Sequence, residues 1–176
     1  ENYIDDPSKI FTVSTDLFIS HINIIKSLPE YNIINISEIN DTIDYNKLNI
    51  AITFDDGFKD VLYTVTPILN ESHIPFTVFI VKDFVLNNTI GYLDELELKE
   101  LSKLDIVTIG SHGDTHMKLA ELSESNIKKE LNESKKYIED LIGKPVRCIS
   151  YPHGSVNNKV KNAAIDVGYK FGFSSR

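Results

Sequence analysis

Short runs of β-branched and aromatic residues recur along this chain, and between them lie stretches with the 3.6-residue period of amphipathic helices. This alternation is the strongest constraint on the fold. Strands separated by helices cannot pair as tight hairpins, so they must run parallel and be joined by crossovers. The pattern predicts strands at Ile10–Val13, Asn32–Ile36, Asn49–Phe54, Phe76–Val81, Asp105–Gly110, Arg147–Tyr151 and Tyr169–Phe173. Several of these are almost continuously apolar, as strands covered on both faces should be. Helices are predicted at Thr15–Leu28, Lys59–Glu71, Asp94–Lys103, Ser123–Ile142 and Asn157–Val167. The fourth is the clearest: Ile127, Leu131, Ile138, Leu141 and Ile142 mark one face, Ser123 caps the start, and Gly143 with Pro145 ends it. Its Lys and Glu residues over Lys128–Glu139 read as a solvated face. Pro67 falls inside the second helix and predicts a kink or an early stop.

The 176 residues suit one domain with a sizeable core, and the chain reads as a single unit over 1–176. A start at Glu1 and a stop just after an apolar stretch read as a piece of a longer protein. The net charge of −8 makes nucleic acid and anionic lipid poor partners. Cys148 is the one cysteine, so no internal disulfide can form, and it reads as a core residue. No segment is long and apolar enough to span a bilayer, and no signal peptide is visible. The sequence leaves oligomeric state open.

In parallel α/β folds, function collects at the C-terminal ends of the strands. Three stretches fall there: Thr53-Phe54-Asp55-Asp56-Gly57, Ser111-His112-Gly113-Asp114-Thr115-His116 and Ser150-Tyr151-Pro152-His153-Gly154. His112 and His116 are four apart, which puts both rings within reach of one ion. Two imidazoles and one carboxylate make a three-ligand site with positions left open, the pattern of a catalytic centre. Of the adjacent Asp55 and Asp56, one serves as ligand and the other stays free to hold a proton, and the ion offsets their mutual repulsion. A divalent ion lowers the pKa of its water and polarises a carbonyl, and a nearby carboxylate takes the proton, so the chemistry is hydrolysis of an amide or ester. Each motif alone has a plainer reading, since Asp-Asp-Gly is commonly a turn. Their joint occurrence at strand ends carries the inference. His21 and His73 read as structural and solvated, and Asp114 as a loop-shaping side chain.

Together the three motifs resemble the polysaccharide deacetylase family, carbohydrate esterase family 4. The resemblance extends from about Phe18 to Phe173 and includes "DVLYTVTPILNESHIPFTVFI" and "VTIGSHGDTHMKL". It implies a distorted (β/α) barrel of about seven parallel strands. It makes Asp55 the catalytic base and Asp56, His112 and His116 the metal ligands, with zinc the usual ion and Co²⁺, Ni²⁺ or Fe²⁺ accepted. Tyr151, Pro152 and Gly154 would line the substrate groove, and the backbone N–H near His153 would bind the oxyanion. The expected substrate is an N-acetylated amino sugar of a bacterial surface polysaccharide or peptidoglycan.

Three departures stand out. Gly113 replaces the Ser or Thr that often follows the first histidine. Ser150 stands where an arginine usually orients the base, and Arg147 lies upstream of it. The late motif that carries a general-acid histidine has no match, which leaves His153 as the stand-in. These departures admit an alternative reading, a catalytically inactive member that binds glycan. A Mg²⁺-dependent phosphatase is a weaker rival, since magnesium prefers oxygen to imidazole. The resemblance places the protein outside the cell or in its envelope, with the cytoplasm as the alternative.

Overall fold

A computed structural model describes residues 12–39 and 43–175. Helix α1 (Thr15–Ser27) is followed by β1 (Tyr31–Ile33), a 3₁₀ turn at Ile36–Glu38, β2 (Leu48–Ile50) and β3 (Ile52–Phe54). Then come α2 (Thr66–Glu71), β4 (Phe76–Ile80), α3 (Lys82–Leu86), α4 (Glu95–Leu101) and β5 (Val107–Ser111). Helix α5 (Glu124–Ile142), β6 (Cys148–Ser150), α6 (Asn158–Val167) and β7 (Phe171–Phe173) complete the order. The expected strand at Ile10–Val13 lies outside the described residues except for Thr12 and Val13, which are not in a strand.

Among the described residues every pairing between strands is parallel. β1 pairs with β2, and the other five form a sheet in the order β3-β4-β5-β6-β7. Parallel connections are right-handed almost without exception, so a strand order that never reverses puts every crossover helix on one face and curls the sheet. The result is an α/β half-barrel. Among the described residues there are seven strands, as expected, but divided differently. The single run expected over Asn49–Phe54 breaks at Ala51, where the chain leaves the two-stranded pair and enters the main sheet.

The two faces of the sheet bury different sets. Phe76, Val78 and Ile80 of β4 join the helices in the larger core, with Leu98 and Leu101 of α4, Ile127, Leu131 and Ile138 of α5, and Val160 of α6. The concave face holds a second cluster of Ile36, Phe79 and Cys148, packed against Ala51, Phe171 and Phe173. Gly110 makes room for it: a Cβ there would lie 2.5 Å from the Phe79 ring and 2.9 Å from Cys148 Sγ.

Local signals explain the helix ends. Ser14 caps α1, Asp94 and Glu97 form a capping box on α4, and Asn157 caps α6. The helix does not stop at Pro67 but runs on to Glu71. Helical backbone is continuous from Val61 to Glu71, and Pro67 comes just after a π-helical turn over Val61–Val65, the kind of irregularity expected where a proline interrupts the hydrogen-bond ladder. Thr66 Oγ1 donates to the Val61 carbonyl at 2.7 Å across that wider turn.

Candidate metal centre

All three motifs lie at the C-terminal ends of β3, β5 and β6. Asp55 and Asp56 follow β3, His112 follows β5, and Tyr151–Gly154 follow β6. Asp56 has φ +71°, and the N–H of Gly57 reaches back to the carbonyl of Asp55 at 2.9 Å. A three-residue turn with a positive central φ is strained, and such strain collects at functional sites. Asp55 is exposed, whereas the side chain of Asp56 is 25% exposed.

Asp56 Oδ1 lies 3.1 Å from His116 Nε2 and 3.4 Å from His112 Nε2. Neither contact has hydrogen-bonding geometry, so this buried oxygen has no hydrogen-bond partner. One ligand atom from each of the three residues lies within 4.8 Å of the other two. His112 is buried, and its Nδ1 lies 2.8 Å from the Ser150 carbonyl, which can only accept. Nδ1 therefore carries the hydrogen, and Nε2 presents its lone pair toward Asp56. Burial pushes the His112 pKa down, against the pull of Asp55 and Asp56, and keeps the ring neutral. Burial also acts to raise the Asp56 carboxyl, but His116, His112 and His153 outweigh it and hold it below the usual range. Two imidazole nitrogens and one orphaned carboxylate oxygen facing one point fit a divalent cation, and such a donor set suits zinc.

The loop between the histidines is held from two sides. Gly113 has φ +83° and His116 has φ +61°. The N–H of Gly113 donates to Ser111 Oγ at 3.2 Å, and Ser111 Oγ also meets Ser134 Oγ of α5 at 2.8 Å. At the start of α3, the N–H groups of Lys82 and Asp83 donate to the carbonyls of Gly113 and Asp114 at 3.2 and 2.9 Å. The Asp114 carboxylate pairs with Lys82 Nζ at 2.9 Å and is not one of the three groups that converge. From α5, Glu130 Oε2 accepts from the N–H groups of Asp114 and Thr115, both at 3.0 Å. Its Oε1 accepts from Thr115 Oγ1 at 2.6 Å.

Glu130 corrects the expectation of a solvated face, because it is a buried charge. Its signal was present in the sequence. Glu130 and Ser134 fall on the buried stripe with Ile127, Leu131 and Ile138. Lys128, Lys129 and Lys136 of the same helix are exposed, as expected.

The third motif forms a 3₁₀ turn at Pro152–Gly154 in which His153 has φ +57°. His153 is exposed, its Nε2 lies 3.2 Å from the His116 carbonyl, and its ring centroid lies 4.5 Å from that of His116. Tyr151 is 7% exposed and covers Gly172, where a Cβ would lie 2.4 Å from its hydroxyl. Pro152 is buried, and its Cγ would lie 3.4 Å from a Cβ on Gly113. Gly154 is buried as well. Arg147 is exposed before the start of β6, at the opposite end of the strand from Ser150. On the other flank, Phe58 stacks on Tyr92 at 4.7 Å, and Phe84 lies 4.3 Å from Tyr92 and 5.8 Å from His116. The sequence offered no periodic signal for this aromatic wall.

A sequence profile for polysaccharide deacetylases matches residues 42–172. The poly-β-1,6-N-acetyl-D-glucosamine N-deacetylase of Staphylococcus aureus (strain MSSA476) is 33% identical over 141 residues, covering 74% of this chain and 49% of that protein. The chain thus spans about half the length of the relative it matches. A Streptococcus pyogenes deacetylase, PplD, solved with acetate, superposes with a TM-score of 0.84 at 21% identity, covering 99% of this chain and 80% of that one. A Bacillus anthracis pseudoenzyme of carbohydrate esterase family 4, BA3943, superposes with a TM-score of 0.62 at 22% identity, covering 70% of this chain and 42% of that one.

Proposed function

The chain belongs to the polysaccharide deacetylase family, and from that premise we propose that it is a metal-dependent hydrolase. It removes N-acetyl groups from N-acetylated amino sugars of a bacterial surface polysaccharide or peptidoglycan. The observation that carries this reading is the convergence of Asp56, His112 and His116 on one point, with Asp56 Oδ1 left without a hydrogen-bond partner.

Asp56, His112 and His116 would hold the ion, zinc by the donor set, with Co²⁺, Ni²⁺ or Fe²⁺ satisfying the same atoms less selectively. When bound, such an ion lowers the pKa of a coordinated water toward about 7 and polarises the amide carbonyl. Asp55, exposed beside the ligands, takes the proton from the attacking water at a carboxylate oxygen. Gly154 N–H and Ser155 N–H are committed to the carbonyls of Tyr151 and Pro152, both at 2.9 Å, so the oxyanion donor is the N–H of His153. His153 Nε2 faces the His116 carbonyl, which can only accept, so Nε2 carries the ring hydrogen and Nδ1 is a lone pair that would have to take up a proton from solvent before handing it to the departing nitrogen. Tyr151, Pro152 and Gly154 are all buried, so they would support the substrate groove from beneath rather than touch the glycan.

The relative named above acts, by its name, on poly-β-1,6-N-acetyl-D-glucosamine. A substrate of that kind places the work outside the cell or in its envelope. Among the described residues, no helix is long and apolar enough to cross a membrane.

The protein, loaded with zinc and incubated with β-1,6-linked N-acetylglucosamine oligomers, should release free amine. Asp55→Asn should lower turnover at least about 100-fold while zinc stays bound. Normal activity in that variant would sink the mechanism. The second reading, a glycan-binding member without turnover, is favoured by Ser150 at the usual arginine position and by the placement of Arg147. Intact zinc binding with no amine released across a panel of N-acetylated glycans would select it.

A further inference from the structure

Asp56, His112 and His116 account for the ion's own contacts but not for the shape of the loop that carries two of them. Five residues, His112 to His116, must turn back so that both Nε2 atoms face Asp56 Oδ1. The turn uses left-handed backbone at Gly113 and at His116, a conformation uncommon for any residue with a Cβ, so contacts from outside the loop help to hold it.

We propose that Glu130 is the positioning residue of this centre: its carboxylate serves as the template on which the loop takes its ligand-presenting shape. The inference rests on the metal reading above. Glu130 lies on the outer side of the loop, in α5, and is not itself one of the ligand set. It accepts three hydrogen bonds, all from the two residues between Gly113 and His116. Two consecutive N–H groups converge on one carboxylate oxygen, which fixes the direction of the peptide leading into His116. Ser134, one helical turn further along α5, holds Ser111 just before His112. A single face of α5 therefore grips the loop at both ends, with Glu130 next to His116 and Ser134 next to His112.

Gly113 fits the same account. A Cβ there would lie 3.4 Å from Pro152 Cγ and 3.6 Å from Glu130 Oε2, so the loop passes close against both. The brace that a Ser or Thr after the first histidine would supply from within the loop is supplied here from α5. The geometry demands one oxygen placed for the two N–H groups and a second polar atom against Thr115 Oγ1, rather than a negative charge as such. A glutamine amide could turn its oxygen to the two N–H groups and its nitrogen to Thr115 Oγ1. An aspartate, one methylene shorter, could not reach them.

The test measures zinc affinity of the folded protein by competition with a chromophoric chelator, together with the visible spectrum of the Co²⁺ form. Glu130→Ala and Glu130→Asp should bind zinc about 10- to 100-fold more weakly than the parent, with an altered Co²⁺ spectrum. Glu130→Gln should stay within about threefold, with the parent spectrum. Should Glu130→Ala fail to fold, Glu130→Asp carries the test. Parent-like affinity and spectra in folded Glu130→Ala and Glu130→Asp, with only a lower Tm, would overturn the inference and leave the deacetylase reading intact. A loss in Glu130→Gln as large as in Glu130→Ala would also overturn it. Zinc binding that follows the expected order, without amine release from any glycan, supports the inference and sinks the deacetylase reading. A parent protein that binds no zinc overturns both.

Discussion

His112 Nδ1 donates to the backbone carbonyl of Ser150 at 2.8 Å, tying the end of β5 to the end of β6. The acceptor is main chain, so the residue at position 150 can change without changing the tautomer of His112. Ser150→Ala should leave zinc affinity within about threefold of the parent, because second-sphere losses of 10- to 100-fold require removal of the partner itself. A tenfold loss, measured by chelator competition, would show that the Ser150 side chain acts on the site.

Acid should weaken the metal-free protein in two separate windows. Burial holds the folded His112 pKa below its ordinary 6.5. As pH falls through that value, the unfolded chain takes up a proton that the folded one refuses, so stability drops until the folded pKa is reached. Asp56 is held below its ordinary 3.8, so its contribution persists above that value and is lost as pH falls through the folded pKa. Urea midpoints of metal-free protein should therefore decline as pH falls through about 6.5, and His112→Gln should flatten that decline. An equal slope in both proteins would exclude His112 as the source.

The concave face tolerates no added volume at Gly110. Gly110→Ala places a methyl 2.5 Å from the Phe79 ring, so the core must shift. Overpacking of this kind costs about 1–3 kcal/mol. Phe79→Leu in the same chain should recover part of the loss, since the two sites share one gap. Additive destabilisation in the double variant, by calorimetry, would show that they do not.

Cys148 is fully buried, and burial raises its thiol pKa to about 12. Almost none of it is thiolate at pH 8, and the thiolate is the reactive form. Native protein should resist a thiol-reactive disulfide dye at that pH, and reaction should follow unfolding. Full labelling within minutes, with circular dichroism unchanged, would contradict this burial.

The sequence carried the architecture because helix and strand periods are local properties. The apolar runs of β4 and the caps at Asp94 and Asn157 are readable within a few residues. The residues brought together at the strand ends were legible for a similar reason, since each follows directly from a strand. What escaped depends on distant partners. Nothing near Ala51 marks the change of sheet, because that break reflects the separate partners of β2 and β3. Glu130 sat on an apolar stripe, where its charge argued for solvent until the loop it serves was in view. The wall of Phe58, Tyr92 and Phe84 joins two segments whose sequence separation hides their contact.

Strand β3 is an outermost strand of the five, and β4 separates it from β5. An ion held by Asp56 and the two histidines would act as a rivet across β4, pinning a free margin of the sheet to its middle. Chelation should then let that margin fray first, with amide exchange rising at Thr53 and Phe54 before it rises in β5. Uniform exchange along both strands would mean that packing alone holds the margin in place.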